Sequence, residues 1–158
     1  MLADLLQDWD ANKGNRKGRF VTFCFRLGQI LKSTPVAIRW VFAPYFALYA
    51  IGIMWILGIE LPLKTRIGPR LKIFHGQALV VNSATVIGAD CHLKQCTTIG
   101  IGKDGTPTIG SNVNVGSNSV VIGNIKIGNN VTIGAGSVVT KDIADDCTVV
   151  GNPARVLE

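Results

Sequence analysis

Few ionisable side chains in this chain are placed where they would support catalysis, and one of them stands in an unusual setting. The stretch KIFHGQALVVNSATVIG, residues 72–88, places His75 among small and aliphatic residues. An imidazole with its ordinary pKa of about 6.5 can accept or donate a proton at neutral pH. His75 is therefore a candidate acid–base group, although a histidine satisfied by a local hydrogen bond, or simply exposed, would give the same pattern.

The other histidine and the cysteines limit the alternative chemistries. A zinc site built from three histidines needs one more than His75 and His92 supply, so we expect no metal. We expect His92, in GADCHLKQC, to be a surface residue. The four cysteines show no C-x-x-C pair and no disulfide framework, which is typical of reduced thiols in the cytosol. A Cys–His nucleophile through Cys91 or Cys96 stays open as a minor alternative.

A glycine-rich turn, IGIGKDGTPTIG at residues 99–110, has the spacing G-x-G-x-x-G. No helix follows it, so a dinucleotide-binding fingerprint is excluded. Backbone N–H groups in such a turn can instead stabilise an oxyanion. We expect a loop that bulges out from the structure around it.

The length and charge of the chain indicate how many domains it forms and which partners it suits. A chain of 158 residues is long enough for one main unit with a core. Its net charge of +6 arises largely from the N-terminal half and suits an anionic partner such as a phosphate or an acidic lipid. No nucleic-acid-binding motif accompanies the charge, so we expect no nucleic acid. The first ten residues carry three aspartates, unlike a secretory signal, and favour a cytoplasmic location.

One long segment is free of charge. It is WVFAPYFALYAIGIMWILGI, residues 40–59, and its twenty residues reach the length of a membrane span. Pro44 and two glycines argue against a full span. Peripheral contact with the inner face of a membrane and a helix that packs on protein both remain open.

A six-residue period dominates the C-terminal part of the chain. Aliphatic residues recur at Ile109, Val115, Val121, Ile127, Ile133 and Val139. This hexapeptide repeat predicts short strands joined by turns, with three hexads forming one triangular coil and coils stacked about 4.8 Å apart. The same phase occurs upstream at Ile67, Ile73 and Leu79 and at Ile87, Leu93 and Ile99, with two residues inserted after Leu79 and four after Ile99.

The N-terminal part follows a helical period instead. We expect two or three helices there, with a break at Ser33-Thr34-Pro35. The sequence is therefore divided into a helical segment with an apolar helix, residues 1–58, and a hexapeptide-repeat domain, residues 59–158.

The hexads, the final VVGNPARVL and the block FHGQALVVNSATVIG resemble the acyltransferases built on a left-handed parallel β-helix. More narrowly, they resemble the branch of serine acetyltransferases and polysaccharide (colanic acid) acetyltransferases, over roughly residues 58–157. The resemblance implies an all-β solenoid with a short N-terminal helical segment. It also implies a homotrimer, acetyl-CoA as co-substrate in a groove between neighbouring β-helices, and a histidine as the base.

The same resemblance assigns the catalytic candidates. His75 falls in the matching place, with HGQALVV answering the family's H-A-T-G-I-V-V. Glu60 precedes it by fifteen residues, the spacing at which serine acetyltransferases carry an aspartate that orients the base. A carboxylate that caps the junction between the helices and the β-helix would explain Glu60 equally simply.

The resemblance also implies residues that bind acetyl-CoA. The glycine-rich turn is expected beside the thioester and the pantetheine arm, two small residues in the groove, and two cations near the CoA phosphates. These candidates are Gly100, Ile101, Gly102, Ser117, Ala135, Lys141 and Arg155. The small residues would also suit plain corners of the coil, and the cations would suit ordinary surface charge.

The sequence departs from serine acetyltransferases in ways that affect the acceptor. Phe74 stands where they carry an aspartate before the base, and the loop after Ile99 keeps only Thr106-Pro107 of their R-H-P. A sugar hydroxyl in surface or exopolysaccharide biosynthesis, on a glycan or a lipid-linked intermediate, is therefore the expected acceptor. Serine is the alternative, and a non-catalytic solenoid scaffold is the alternative of a different class.

Overall fold

The computed structural model describes residues 2–157, and its N-terminal part is helical. The elements are α1 (Leu2–Leu6), α2 (Arg16–Lys32), α3 (Val36–Arg39), a 3₁₀ turn (Trp40–Phe42), α4 (Ala43–Tyr49) and a π-helical stretch (Ala50–Ile56). Asn15 caps α2 by accepting a hydrogen bond from the Gly18 N–H at 2.8 Å. Helix α2 ends at Lys32 with Ser33 as its C-cap, and α3 begins after Pro35, so the predicted break is confirmed.

The rest of the chain consists of strands of two or three residues. They are β1 (Ile59–Glu60), β2 (Arg66–Ile67), β3 (Lys72–Ile73), β4 (Leu79–Val81), β5 (Val86–Ile87), β6 (His92–Leu93), β7 (Thr98–Gly100), β8 (Thr108–Ile109), β9 (Asn114–Val115), β10 (Val120–Ile122), β11 (Lys126–Ile127), β12 (Thr132–Ile133), β13 (Val138–Val139), β14 (Thr148–Val150) and β15 (Arg155–Val156).

These strands form three sheets that are the faces of a triangular prism. Sheet A has the order β1-β4-β7-β10-β13, sheet B the order β2-β5-β8-β11, and sheet C the order β3-β6-β9-β12-β14-β15. From β1 to β13, every third strand returns to the same sheet and pairs in parallel; β14 then pairs in parallel with β12, and β15 is antiparallel to β14. The fold is thus a left-handed parallel β-helix of about five coils, as the repeat and the resemblance predicted.

The repeated aliphatic residues form the core of the prism. In sheet A, Val81 pairs with Ile99, Ile99 with Val121, and Val121 with Val139, and all four are buried. Sheets B and C carry equivalent stacks. Each coil therefore buries its aliphatic residues against those of the coils above and below, which is why the six-residue period predicted the core correctly.

The structure corrects the position of one insertion. Val81, and not Leu79, pairs with Ile99, so eight residues separate Ile73 from Val81 where six separate Leu93 from Ile99. The two extra residues lie in the turn that carries His75 rather than after Leu79. Leu79 and Val81 are both apolar and both face inward, so the sequence pattern fits either phase. The predicted four-residue insertion after Ile99 is confirmed, because Ile87 pairs with Ile109.

The helices close the open end of the β-helix. No coil precedes the first one, so its backbone groups would otherwise lack partners. Arg26 donates to the carbonyl oxygens of Ile67 at 2.9 Å and Gly68 at 2.6 Å. Asp8 forms a buried ion pair with Arg26 at 2.7 Å and accepts from the Leu71 N–H at 2.9 Å. This buried pair therefore takes the place of a neighbouring strand.

Further side chains extend the closure. Asn12 donates to the Leu71 carbonyl at 2.8 Å and accepts from the Ile73 N–H at 3.2 Å. The Tyr49 hydroxyl donates to the Leu61 carbonyl at 2.7 Å. Groups on all three faces of the first coil are thus satisfied by side chains of the helices. We call α1, α2 and the segment between them, with Tyr49, the helical cap.

The hydrophobic core is continuous from the cap into the β-helix. Val21 and Phe25 of α2, with Tyr49 and Ile53, belong to the same buried cluster as the aliphatic residues of the coils. The helical elements end before Ile59, where β1 begins. The division into separate domains, residues 1–58 and 59–158, stays a prediction.

Candidate active site

The turn that carries His75 is held by its neighbours and turns the imidazole outward. His75 follows β3, has a φ of 60°, and is exposed. Gly76 is buried with a φ of 74°, and a Cβ there would lie 2.9 Å from Cδ1 of Ile59 and 3.0 Å from Cγ2 of Ile73. Its N–H donates to the Phe74 carbonyl at 2.6 Å. The turn therefore needs glycine at residue 76, both for its conformation and for space.

An aromatic and basic cluster lies beside this turn. The Phe74 ring stands edge-on to His92 with centroids 6.2 Å apart, and Lys72 Nζ lies 4.6 Å from the Phe74 centroid. Partial burial lowers the pKa of His92, and the positive charges of Lys72 and Lys94 lower it further. His92 is half-buried on the outer face of sheet C, whereas the sequence predicted a surface residue. Among residues 2–157, no three His, Cys, Asp or Glu side chains are grouped to hold a metal.

Glu60 lies on the outer face of sheet A, in β1, where it pairs with Val80. It is exposed, as His75 is. In the part of the chain that the structure describes, neither side chain has a hydrogen bond or an ion pair, and none connects the two. The function of Glu60 as the carboxylate that orients His75 therefore stays a prediction.

Three of the predicted site residues share one edge of the prism. His75, Ser117 and Ala135 all lie in turns from sheet C to sheet A, which we call the His75 edge. Hydrogen bonds join successive turns of this edge: Cys96 N–H to the Gln77 carbonyl (2.8 Å), Asn118 N–H to the Gln95 carbonyl (3.2 Å) and Gly136 N–H to the Ser117 carbonyl (2.8 Å).

Gln95 and Cys96 also belong to the His75 edge, which the sequence pattern did not predict. The insertions in two coils make the spacing between stacked residues unequal, so a constant offset of eighteen residues does not find them. Only an alignment coil by coil would have identified this stack.

The glycine-rich turn lies on a different edge, between sheets A and B. Residues 101–106 bulge outward, as predicted, and close on themselves through a hydrogen bond from the Gly102 N–H to the Gly105 carbonyl at 2.8 Å. A Cβ on Gly102 would lie 2.6 Å from Cα of Gly123, so the loop packs tightly on the next coil. The Gly102 N–H is therefore not available to an oxyanion. The Ile101 N–H, at the exposed start of the bulge, has no partner among the described residues.

Lys141 and Arg155 line one depression near the C-terminal end of the β-helix. Its volume is about 200 Å³, and its wall also includes Thr140, Pro153 and Ala154. Neither cation has an ion pair within residues 2–157. Two adjacent cations without a carboxylate form a surface suited to phosphate groups.

Sheet A separates the two groups of candidate residues. The His75 edge bounds it on one side and the bulge at residues 101–106 on the other. Between these edges, the outer face of sheet A includes Glu60, Val80, Thr98, Val120 and Val138. The corresponding residues on the outer face of sheet C are Lys72, His92, Asn114, Thr132 and Thr148. Sheet A thus has the more apolar outer face.

The cysteines differ in their surroundings. Cys91 is fully buried, and its Sγ donates to the Gly110 carbonyl at 3.2 Å. Burial, above all, raises the pKa of Cys91 to about 11, which removes the thiolate that a nucleophile needs. Full burial of Cys91 therefore disfavours the alternative that assigned it as a nucleophile. Cys96 is exposed, and within residues 2–157 no hydrogen bond joins its side chain to His75, so a function of Cys96 as a nucleophile stays a prediction.

Comparisons with known proteins agree with the repeat. The family described as "Bacterial transferase hexapeptide (six repeats)" matches residues 106–141. A putative colanic acid biosynthesis acetyltransferase, WcaB, of Escherichia coli K12 is 36% identical over 159 residues, covering 96% of this chain and 98% of that protein. A serine acetyltransferase of Synechococcus elongatus is 36% identical over 104 residues, but the match covers 63% of this chain and only 43% of that protein.

A solved structure shows the same architecture. The serine acetyltransferase of Brucella abortus strain S19, in complex with coenzyme A, superposes with a TM-score of 0.81 at 26% identity, covering 99% of this chain and 67% of that one. The likeness thus includes the helical cap as well as the coils. With a nearly full-length relative at 36% identity and a repeat that predicts the same coils, the chain belongs to the hexapeptide-repeat acetyltransferases.

Proposed function

We propose that the chain is an O-acetyltransferase that moves an acetyl group from acetyl-CoA to a hydroxyl of a sugar in surface or exopolysaccharide biosynthesis. The observation that carries the proposal is His75, exposed on a turn whose shape requires Gly76. A full-length relative with a colanic acid biosynthesis name, and a neighbour that holds coenzyme A, support the donor and the acceptor class.

In the proposed mechanism, His75 takes the proton from the acceptor hydroxyl as its oxygen attacks the carbonyl carbon of the thioester. The tetrahedral intermediate carries an oxyanion, to which the unpaired Ile101 N–H can donate. Collapse of the intermediate breaks the C–S bond, and the imidazolium returns its proton to the CoA thiolate. Glu60 would stabilise the imidazolium after a change of its side-chain rotamer.

The positions of the other candidates suit a CoA molecule that runs along the β-helix. Ser117 and Ala135 continue the His75 edge and leave room for the pantetheine arm. Lys141 and Arg155 would bind its phosphates in their shared depression. Gly100 and Gly102 would act through the backbone shape of the bulge rather than through the Gly102 N–H.

We also propose that the enzyme is a homotrimer. His75 and the bulge at residues 101–106 lie on opposite edges of sheet A within one chain, so a site with both needs the bulge of another copy. The apolar outer face of sheet A, with Val80, Val120 and Val138, supports a contact between copies there.

The acceptor distinguishes the two branches of the family. Phe74 stands beside the base where serine acetyltransferases carry an aspartate, which disfavours a charged amino-acid substrate. The elements from α3 to the π-helical stretch follow one another without a gap, and we call them together the apolar helix Val36–Ile56. This helix suits a sugar carried on a membrane-borne intermediate. Serine stays the alternative acceptor, because serine acetyltransferases match 104 residues of the chain at 36% to 44% identity.

The test of the reaction is release of CoA from acetyl-CoA, with sugars, nucleotide sugars and L-serine offered as acceptors. We expect His75→Ala to lower the rate at least about 100-fold, since a general base contributes that much. His92→Gln, the matched control, should keep the activity. A His75→Ala variant with the full rate would remove His75 as the base, and absence of acetyl-CoA binding would favour the scaffold.

The test of the trimer uses two substitutions on different sheets. Val120→Lys puts a charge on the outer face of sheet A, and Thr132→Lys does so on sheet C. We expect light scattering to show a trimer that Val120→Lys dissociates, with loss of activity, and that Thr132→Lys leaves intact. A fully active monomer would contradict the shared site.

A further inference from the structure

The apolar helix Val36–Ile56 leaves a charge-free stripe uncovered. Trp40, Leu48, Ile51 and Trp55 face outward along it, and the two tryptophans are 77% and 85% exposed. Only 11% of its most apolar window is buried. Since folded chains seldom expose so many large apolar side chains together, this stripe is expected to contact something other than water.

The opposite face of this helix is fixed to the protein. The Tyr45 hydroxyl donates to the Cys24 carbonyl, the Tyr49 hydroxyl donates to the Leu61 carbonyl, and Ile53 is buried in the core. A helix that crosses a bilayer would have to give up these contacts. The helix therefore presents one side only and can enter a membrane no deeper than that side.

Two cations line a groove along the same helix. Lys32 and Arg39 form its polar part, and the apolar part includes Phe46, Met54 and Leu63, in a volume of about 360 Å³. A second depression of about 230 Å³ shares Arg39 and Phe46 and extends to Trp40. The cations thus lie directly beside the apolar stripe.

These cations lack a counter-charge. Burial lowers the pKa of Lys32, and the nearby charges of Lys64 and Arg39 lower it further. None of the three has an ion pair within residues 2–157. The Nε of Arg39 is buried without a hydrogen-bond partner, although its Nη2 donates to the Thr34 carbonyl at 3.0 Å. An anion at this position would relieve both the repulsion and the unsatisfied donor.

We propose that this face docks on a membrane that contains anionic phospholipids. The outward stripe inserts among the first carbons of the acyl chains, and Lys32, Arg39 and Lys64 bind the lipid phosphates. Tryptophans at both ends of the stripe match the preference of indole for the membrane interface. A second copy of the chain would cover the stripe but bring like charges to the same cations, so the lipid surface is the better complement.

The test is flotation of the full chain with vesicles of phosphatidylcholine, with and without phosphatidylglycerol. We expect binding that depends on phosphatidylglycerol and falls with salt. With Trp9→Phe as background, the emission of Trp40 and Trp55 should shift to shorter wavelength on binding. Absence of binding to anionic vesicles, or equal binding to neutral ones, would overturn the proposal.

Matched variants separate this face from general charge and hydrophobicity. Lys32→Gln with Lys64→Gln should weaken binding about thirtyfold, since each interfacial lysine contributes about a factor of five. The control variant, Lys103→Gln with Lys126→Gln, has the same net charge as the Lys32→Gln, Lys64→Gln variant. It should bind at least three-quarters as well as the unaltered chain. Trp55→Ser should weaken binding strongly, whereas Val156→Ser should not.

Other outcomes would overturn the proposal. Equal losses from the two lysine pairs would mean that net charge alone attracts the vesicles. A change of oligomeric state on Trp55→Ser, measured by light scattering without lipid, would assign the stripe to a second copy. Thermal unfolding of each variant checks that it is folded. Flotation does not depend on acetyl transfer, so this proposal and the proposed function can fail separately.

Discussion

The coils of the β-helix and the helical cap satisfy the same kind of backbone group in different ways. Between coils, backbone pairs with backbone at every step, as in the bond from the Thr98 N–H to the Ser119 carbonyl at 2.9 Å. On the first coil, a few polar side chains do this, chiefly Arg26, Asp8 and Asn12. Stability is therefore spread over many similar bonds in the coils and concentrated in a few residues in the cap.

The largest expected effect is in the cap. Arg26→Met leaves the Asp8 carboxylate buried without its partner and removes the donors to Ile67 and Gly68. We expect the free energy of unfolding to fall by about 3–5 kcal/mol, as measured by urea denaturation. A loss below about 1 kcal/mol would show that water replaces Arg26 and that the ion pair is not essential to the closure.

A core substitution in the coils should cost somewhat less. Ile99→Ala removes a fully buried side chain from the sheet A stack and should lower the free energy of unfolding by about 3 kcal/mol. Ile56→Ala, the exposed control, should change it by less than about 0.5 kcal/mol. Equal effects of the two in urea denaturation would contradict the assignment of the core.

A single bond between the cap and the coils should have a smaller effect. Tyr49→Phe keeps the buried ring and removes the hydroxyl that donates to the Leu61 carbonyl. We expect a loss of about 1–3 kcal/mol, since the carbonyl is left without a partner. In the Tyr49→Phe variant, amide hydrogen exchange should show that the first coil opens faster than the last. Uniform exchange along the β-helix would argue against a local closure.

The smallest effect is expected from an exposed ion pair on the coils. Arg70 and Asp90 form one between neighbouring turns, and both side chains are largely solvated. Arg70→Gln should leave the unfolding midpoint in urea essentially unchanged, because water and salt screen such a pair. A shift as large as that of Arg26→Met would remove the distinction between the buried and the exposed pair.

The hexads predicted the coils well because the conformation of each hexad depends mainly on nearby residues. An aliphatic residue every six positions faces inward wherever the coil length is constant, as Val121 and Val139 do. The His75 turn was harder, because Leu79 and Val81 both satisfy the inward pattern and only the pairing with Ile99 decides between them. The closure of the first coil was not predicted, since Asp8 and Leu71 are 63 residues apart.

The sequence by itself determined the β-helix and the break before the apolar helix, since these follow from local periodicity and from residue type, and its resemblance to a known family made His75 the candidate base. Tertiary structure alone decided that His75, Ser117 and Ala135 share one edge while the bulge at residues 101–106 lies on another. It also decided that Arg26 and Asp8 pair in the interior and that Trp55 stays outside. Each insertion changes the number of residues between one coil and the next. The residues that stack on a given side chain therefore depend on every insertion, and not on local sequence alone.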